Sequence, residues 1–221
     1  MGVLLTTGPT SPSRAASDAS PPSPWVVRWS RLVAPGGTVL DVACGAGRHL
    51  GWFHARGHRV TGVDRSAEAL RALAPLACAG AEIVEADLED GPWPFAARTF
   101  DALVVTNYLW RPLFPTIVAA LAPGGVLICE TFAAGNETVG RPARADFLLR
   151  PGELLTVCDD LHVVAYENGF LEAPARFVQR VAALRPKAED ASGIATGPPR
   201  HLLQTLSSDA VSAPMPRTGA R

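Results

Sequence analysis

The sequence predicts an α/β fold: a doubly wound, seven-stranded sheet, mostly parallel, with one antiparallel strand near the edge and helices on both faces. Three observations carry this reading. Apolar runs of strand length alternate with amphipathic stretches of helical period from Trp25 to Thr131. Small-residue and Pro-Gly breaks punctuate them, at Cys44-Gly45-Ala46-Gly47 and Pro123-Gly124-Gly125. Near the end, Asn168-Gly169 stands between two further apolar runs, a turn signal for a hairpin, and a hairpin is antiparallel.

The elements follow in order. Trp25, Val26, Trp29, Leu32 and Val33 share one helical face, so residues 25–33 read as a helix ended by Pro35-Gly36-Gly37. Residues 38–43 read as a strand, 48–56 as a helix and 58–63 as a strand. Ser66 has the chemistry of an N-cap for a helix over 66–73. Residues 82–85 and 101–106 are strands, 113–121 a helix stopped by Pro123-Gly124-Gly125, and 126–131 an apolar strand. A short helix near 152–157 precedes the hairpin strands 161–167 and 177–184. Between Ala133 and Leu149 lie 17 residues with little regular pattern. Long loops in compact domains are often functional, and this one is expected to cover the substrate side of the site.

Composition bounds the function. The chain has 221 residues, of which 48% are hydrophobic, enough for one sizeable core. A formal net charge of −1 gives no bulk electrostatic case for nucleic acid or anionic lipid. No apolar run approaches the roughly 20 residues of a membrane span. The 4 cysteines form no C-x-x-C pair and have no histidine pair nearby, so no metal site is expected. Cysteine usage and the uncharged, short apolar start predict a reducing, cytoplasmic location. Half of the 20 prolines fall in residues 1–24 and 186–221, which read as disordered segments flanking a domain over 25–185. Leu202, Leu203 and Leu206 are an exception to that pattern.

The chemistry concentrates in Val39-Leu40-Asp41-Val42-Ala43-Cys44-Gly45-Ala46-Gly47-Arg48-His49. An apolar strand runs into a small-residue turn that opens a helix, so the backbone can approach a ligand closely. Asp64 follows Gly45 by 19 positions, at the end of the next strand, where a carboxylate can accept hydrogen bonds from ribose hydroxyls. Two details separate the candidate nucleotides. A dinucleotide fingerprint requires a third glycine where Leu50 stands. Asp41 places an anion just before the turn, which opposes a pyrophosphate and suits a cofactor carrying a cationic centre and an ammonium group. S-adenosylmethionine has both.

In these residues and their order, the chain resembles the class I S-adenosylmethionine-dependent methyltransferases over residues 25–185, which implies a Rossmann-like sheet. The family's acidic residue and G-x-G turn match Asp41, Ala43, Gly45 and Gly47, with Ala43 in place of a frequent glycine. Its ribose-binding acid matches Asp64, and its adenine-edge carboxylate matches Asp87 in Glu85-Ala86-Asp87-Leu88. The fourth-strand segment matches residues 100–108, and Leu121-Ala122-Pro123-Gly124-Gly125-Val126-Leu127 resembles the entry to the fifth strand. The cofactor-binding set implied is Asp41, Ala43, Gly45, Gly47, Arg48, Asp64, Arg65, Asp87, Leu88 and Asn107; Arg48 and His49 read first as the start of the helix, with Arg48 also within reach of the cofactor carboxylate. Glu130-Thr131-Phe132 and the run from Leu148 to Leu154 are similar to small bacterial enzymes of the tellurite-resistance type.

Bland readings stand beside these. Asp64 could simply cap the Ser66 helix, and Asp87 belongs to a short acidic run with Glu89 and Asp90. Asn107-Tyr108-Leu109-Trp110-Arg111-Pro112 could wall the substrate pocket or be a packed loop. It departs from the Asp/Asn-Pro-Pro-Tyr pattern of amino-methylating nucleic-acid enzymes at Leu109 and Trp110. No catalytic residue is assigned; His49, Tyr108 and Glu130 are candidates for a general base, needed only if the acceptor is protonated. The expected acceptor is a small molecule. RNA or protein as acceptor, a non-catalytic cofactor-binding protein, and a nicotinamide-dependent dehydrogenase are the competing readings.

Overall fold

The computed structural model describes residues 20–187 and residue 201. The chain divides after Lys187, and of the segment that follows only residue 201 is described. The expected disorder of 1–19 and of most of 186–221, with Leu202, Leu203 and Leu206, lies outside the described residues. Ser23 and Pro24 belong to the folded unit, two residues ahead of the expected boundary.

The elements are α1 (Pro24–Trp29), β1 (Thr38–Val42), α2 (Arg48–His54), β2 (Arg59–Asp64), α3 (Ala67–Arg71), α4 (Ala74–Cys78), β3 (Glu82–Glu85), β4 (Phe100–Thr106), α5 (Phe114–Ala119), β5 (Leu121–Phe132), α6 (Glu153–Val157), β6 (His162–Glu172) and β7 (Ala175–Leu184). They build a 7-stranded sheet of order β3-β2-β1-β4-β5-β7-β6. Strands β1 to β5 pair in parallel, and β7 runs antiparallel to both β5 and β6. The predicted architecture is therefore the observed one. From β1 the chain winds outward to β3, then returns past β1 to β4. This reversal opens a crevice at the carboxyl ends of β1 and β4.

Alternation along the strands divides the core in two. Val39 packs with Trp25, Trp29, Leu50 and Phe53 under α1 and α2. Leu40 and Val42 face the other way, toward Phe114, Ile117 and Leu154 of α5 and α6. Helices thus cover both faces, as a parallel sheet requires. Asp41 shares the face of Val39 and is 1% exposed.

Three local expectations are corrected. Asn168 and Gly169 do not form the hairpin turn; they lie inside β6, opposite Gln179 and Val178. The turn is at Ala173-Pro174, beyond the pair Glu172↔Ala175, and Phe170 and Phe177 stack across the strands with ring centroids 5.0 Å apart. The extra ladder and its aromatic pair outweigh the local turn preference. Pro123-Gly124-Gly125 does not separate helix from strand. Leu121 already pairs with Phe100 before the register jumps to Ala102↔Val126, so the tripeptide is a bulge within β5. There Gly124, at φ 78°, donates its N–H to Arg185 O. Finally, α4 was not foreseen, because its Ala-Pro-Leu-Ala-Cys sequence carries little helical period.

Candidate cofactor site

The turn after β1 is built from left-handed residues. Ala43 has φ 54°, Gly45 φ 52° and Gly47 φ 72°, and Gly47 is the N-cap from which α2 starts. Gly45 faces open space, so only its backbone angle demands glycine. Gly47 is fixed twice, by its angle and because a β-carbon there would overlap the Leu73 side chain.

Asp64 ties this turn to the next one. Its Oδ2 accepts from the Gly45 N–H at 2.8 Å and its Oδ1 from the Ser66 N–H at 2.8 Å. The cap of α3 is Ser66, whose Oγ accepts the Ala69 N–H, so Asp64 braces the turn ahead of the helix, and that bracing is its structural role. It does not exhaust the group, since each carboxylate oxygen keeps a second acceptor site. Asp87 closes a turn of its own, accepting from Glu89 N–H at 2.9 Å, while its other oxygen lies 4.0 Å from Arg65.

Ala43, Asp64, Arg65, Asp87, Leu88 and Asn107, all expected cofactor contacts, line one cleft of about 250 Å³ together with Ala86, Glu89 and Tyr108. An outward extension is lined by Arg65, Ser66, Glu85, Ala86 and Asp87. Asp41 lies buried on β1, one residue before the strand's end. The Arg48 guanidinium reaches Pro21 O at 3.5 Å and does not line the cleft. A larger hollow, about 820 Å³, lies between α5 and α6 among Phe114, Val118, Val157 and Leu161. It contains none of the expected cofactor contacts.

Asp41 is the electrostatic anomaly of the turn. Burial raises its carboxyl above the ordinary value of 3.8, with the neighbouring His49 opposing the shift. Its Oδ2 has no hydrogen-bond partner. His49 Nδ1 stands 3.7 Å away, too far for a normal bond. The Nε2 of His49 accepts the Ser23 N–H at 3.2 Å, which assigns the ring proton to Nδ1, facing Thr106 Oγ1 at 3.5 Å and Asp41.

Ser23 is a functional neighbour that motif reading missed. It caps α1 through its Oγ, and that same Oγ donates to Glu130 Oε1 at 3.0 Å. Serine directly before Pro24-Trp25 was the available signal, an N-cap followed by proline in the first turn. Residues 20–23 thereby lie across α2's first turn and the end of β5.

None of the base candidates is free for proton abstraction. Glu130 is 0% exposed and held by Ser23, Arg176 at 3.3 Å and Arg180 at 3.2 Å. His49 is 1% exposed, with one ring nitrogen committed to Ser23. The Tyr108 hydroxyl is pushed up to about 12, by burial first and by Glu89 and Asp87 next, so it keeps its proton at neutral pH. Burial also raises the Cys44 thiol, which removes it as a nucleophile. Among the described residues no group of acidic, histidine or cysteine side chains could hold a metal ion, and no helix is long and apolar enough to cross a membrane.

The segment 133–149 is built, not slack. Asn136 donates to Pro142 O and accepts the Phe177 N–H, and Arg111 grips Glu153, Asp146 O and Leu148 O. Arg111 thus serves as a clamp between the end of β4 and this segment.

A family described as "Methyltransferase domain" matches residues 39–125, the stretch from β1 into β5 that holds every feature of the cleft. Over that stretch the chain is similar to a methyltransferase domain. No curated protein matches the chain. Among solved structures, the chain is similar in fold to TehB from Haemophilus influenzae, with 19% identity and a TM-score of 0.61. The match covers 72% of this chain and 61% of that one. A TehB-like methyltransferase from Corynebacterium glutamicum shares 23% identity, with a TM-score of 0.52 over 74% of this chain and 87% of that one. The N-methyltransferase NodS from Bradyrhizobium japonicum shares 19% identity, with a TM-score of 0.57 over 73% of this chain and 94% of that one.

Proposed function

We propose that this chain is a cytoplasmic bacterial enzyme that transfers the methyl group of S-adenosylmethionine to a small-molecule acceptor. The observation that carries the reading is Asp41: a buried carboxylate oxygen beside the glycine turn whose nearest donor, His49 Nδ1, stands 3.7 Å away, beyond hydrogen-bond distance. Leaving such an oxygen unpaired costs about 1–3 kcal/mol. An ammonium group arriving from the cleft side offsets that cost, and S-adenosylmethionine carries one. In this arrangement Asp64 accepts from the ribose hydroxyls, Asp87 and Leu88 border the adenine, and the open side of Gly45 admits the cofactor backbone.

The cofactor, when bound, supplies a methyl group already activated on a sulfonium. The residues of the chain need only align the acceptor, stabilise the cofactor's charge and exclude water. With His49, Tyr108 and Glu130 all engaged or protonated, the site favours an acceptor that is nucleophilic without deprotonation, such as a soft sulfur, selenium or tellurium anion. The segment 133–149, at the carboxyl end of β5, is suited to cover that acceptor. The cysteines are free thiols, in keeping with a reducing compartment.

Titration calorimetry with S-adenosylmethionine, S-adenosylhomocysteine and NADH tests the reading. Micromolar binding of the first two and none of the third is expected. Binding of NADH alone overturns it. Cofactor binding without turnover across amines, thiols and oxyanions would instead identify a binding protein.

A further inference from the structure

Tyr108 is the second anomaly of the cleft. It follows Asn107, whose left-handed φ of 55° turns the chain sharply at the end of β4. It lines the cleft together with Asp87, Leu88 and Glu89. Its hydroxyl is buried and has no hydrogen-bond partner. Asp64, Asp87, Glu89 and Arg65 lie close enough to act on it electrostatically, yet none forms a bond with it. Its burial first, and the acids around it next, keep it protonated, so it acts as a donor. A buried donor without an acceptor is unfavourable in the free protein. It becomes favourable when a ligand supplies the acceptor.

The two orphaned groups are opposite in sense. Asp41 lacks a donor and Tyr108 lacks an acceptor. The cofactor offers an ammonium at its amino-acid end and hydrogen-bond-accepting ring nitrogens at its base. Resting on the cofactor reading above, we propose that Tyr108 determines base specificity by donating its hydroxyl proton in a hydrogen bond to a ring nitrogen of the adenine. Asp87 and Glu89 beside it are acceptors and suit the exocyclic amino group. A donor and acceptors lining one cleft would distinguish adenine from hypoxanthine, which lacks that amino group.

The test compares wild type with Tyr108→Phe by calorimetry, using S-adenosylhomocysteine and its 1-deaza, 3-deaza and 7-deaza analogues. In wild type, one deaza analogue should bind about 3- to 10-fold more weakly than the parent, the range for a single hydrogen bond. Tyr108→Phe should lose a similar factor on the parent and nothing further on that analogue. Thermal unfolding of the free variant controls for folding, and its midpoint should stay level or rise, because an unpaired hydroxyl has been removed. Equal parent affinity in variant and wild type overturns the proposal. So does a Tyr108→Phe penalty that persists undiminished on all three analogues, since the hydroxyl then contacts something other than the ring. Failure of wild type to bind S-adenosylhomocysteine overturns the cofactor reading itself, a result distinct from either.

Discussion

Ala43 holds φ at 54° directly after β1, where an L-side chain crowds its β-carbon against the backbone at a cost of roughly 1–2 kcal/mol. Ala43→Gly should relieve this strain and raise stability, by up to about 1 kcal/mol after the extra chain entropy of glycine is subtracted. Chemical denaturation measures the change; a loss of stability would mean that the methyl group packs favourably enough to outweigh the angle. Asp64 holds the N–H groups of Gly45 and Ser66 in the free protein, and the proposed cofactor adds the ribose as a third partner. Asp64→Ala leaves the Gly45 and Ser66 N–H groups without their acceptor, and should cost about 1–2 kcal/mol of stability. It should also weaken S-adenosylhomocysteine binding by about 10- to 100-fold, the equivalent of 1–3 kcal/mol. Asp64→Asn keeps one accepting oxygen and separates the two effects. Unchanged affinity in a folded Asp64→Ala protein would place the ribose elsewhere. Both residues were legible in the sequence, because strand, glycine turn and following acid are local patterns. The orphaned oxygen of Asp41 was not, since lacking a partner is a property of three-dimensional surroundings.

Elements show where local reading stops. The β1–turn–α2 unit was read almost to the residue, because its signals lie within a dozen positions. The Asn168-Gly169 turn failed for the opposite reason: pairing of β6 with β7 extends to Glu172↔Ala175, and the Phe170–Phe177 contact exists only after the strands meet. Arg111 follows the same logic. In sequence it is one residue of an aromatic loop; in the fold it joins α6 to segment 133–149 through Glu153, Asp146 O and Leu148 O. Glu153, drawn below its ordinary range by Arg111 and the Arg150 N–H against the effect of burial, shows the strength of the clamp. Arg111→Met should free that segment while leaving the cofactor turn intact. Limited proteolysis should then cut within residues 133–149 several-fold faster, with S-adenosylhomocysteine affinity within about twofold of wild type. Once an acceptor is in hand, turnover should fall more than cofactor affinity; equal loss of both would mean that the segment supports the cofactor instead.

At the scale of the whole molecule, the near-zero net charge conceals opposed titrations. Glu82 is held below its ordinary value of 4.5 chiefly by Arg98. Its contribution is present above that value and fades as the pH falls through the lowered one; at 46% exposure, screening keeps it small. Asp41 has the reverse sign. A carboxyl raised by folding destabilises the native state once ionised, so the penalty is absent below 3.8 and grows as the pH climbs through the raised native value. Asp41→Asn removes the charge without changing the shape. Its melting temperature should exceed that of wild type at pH 7.5, by about 2–4 °C for each kcal/mol relieved. The gap should close on acidification, as wild-type Asp41 takes up its proton. The same substitution should diminish the further rise in melting temperature that saturating S-adenosylmethionine produces, because the ammonium loses its carboxylate. On the proposed reading Asp41 is kept charged for its ligand at the expense of stability in the free protein, and both sides of that exchange are read in one set of melting curves. If Asp41→Asn instead melts lower than wild type at pH 7.5, the Asp41 charge is already satisfied by His49, and the ammonium must be sought at another carboxylate.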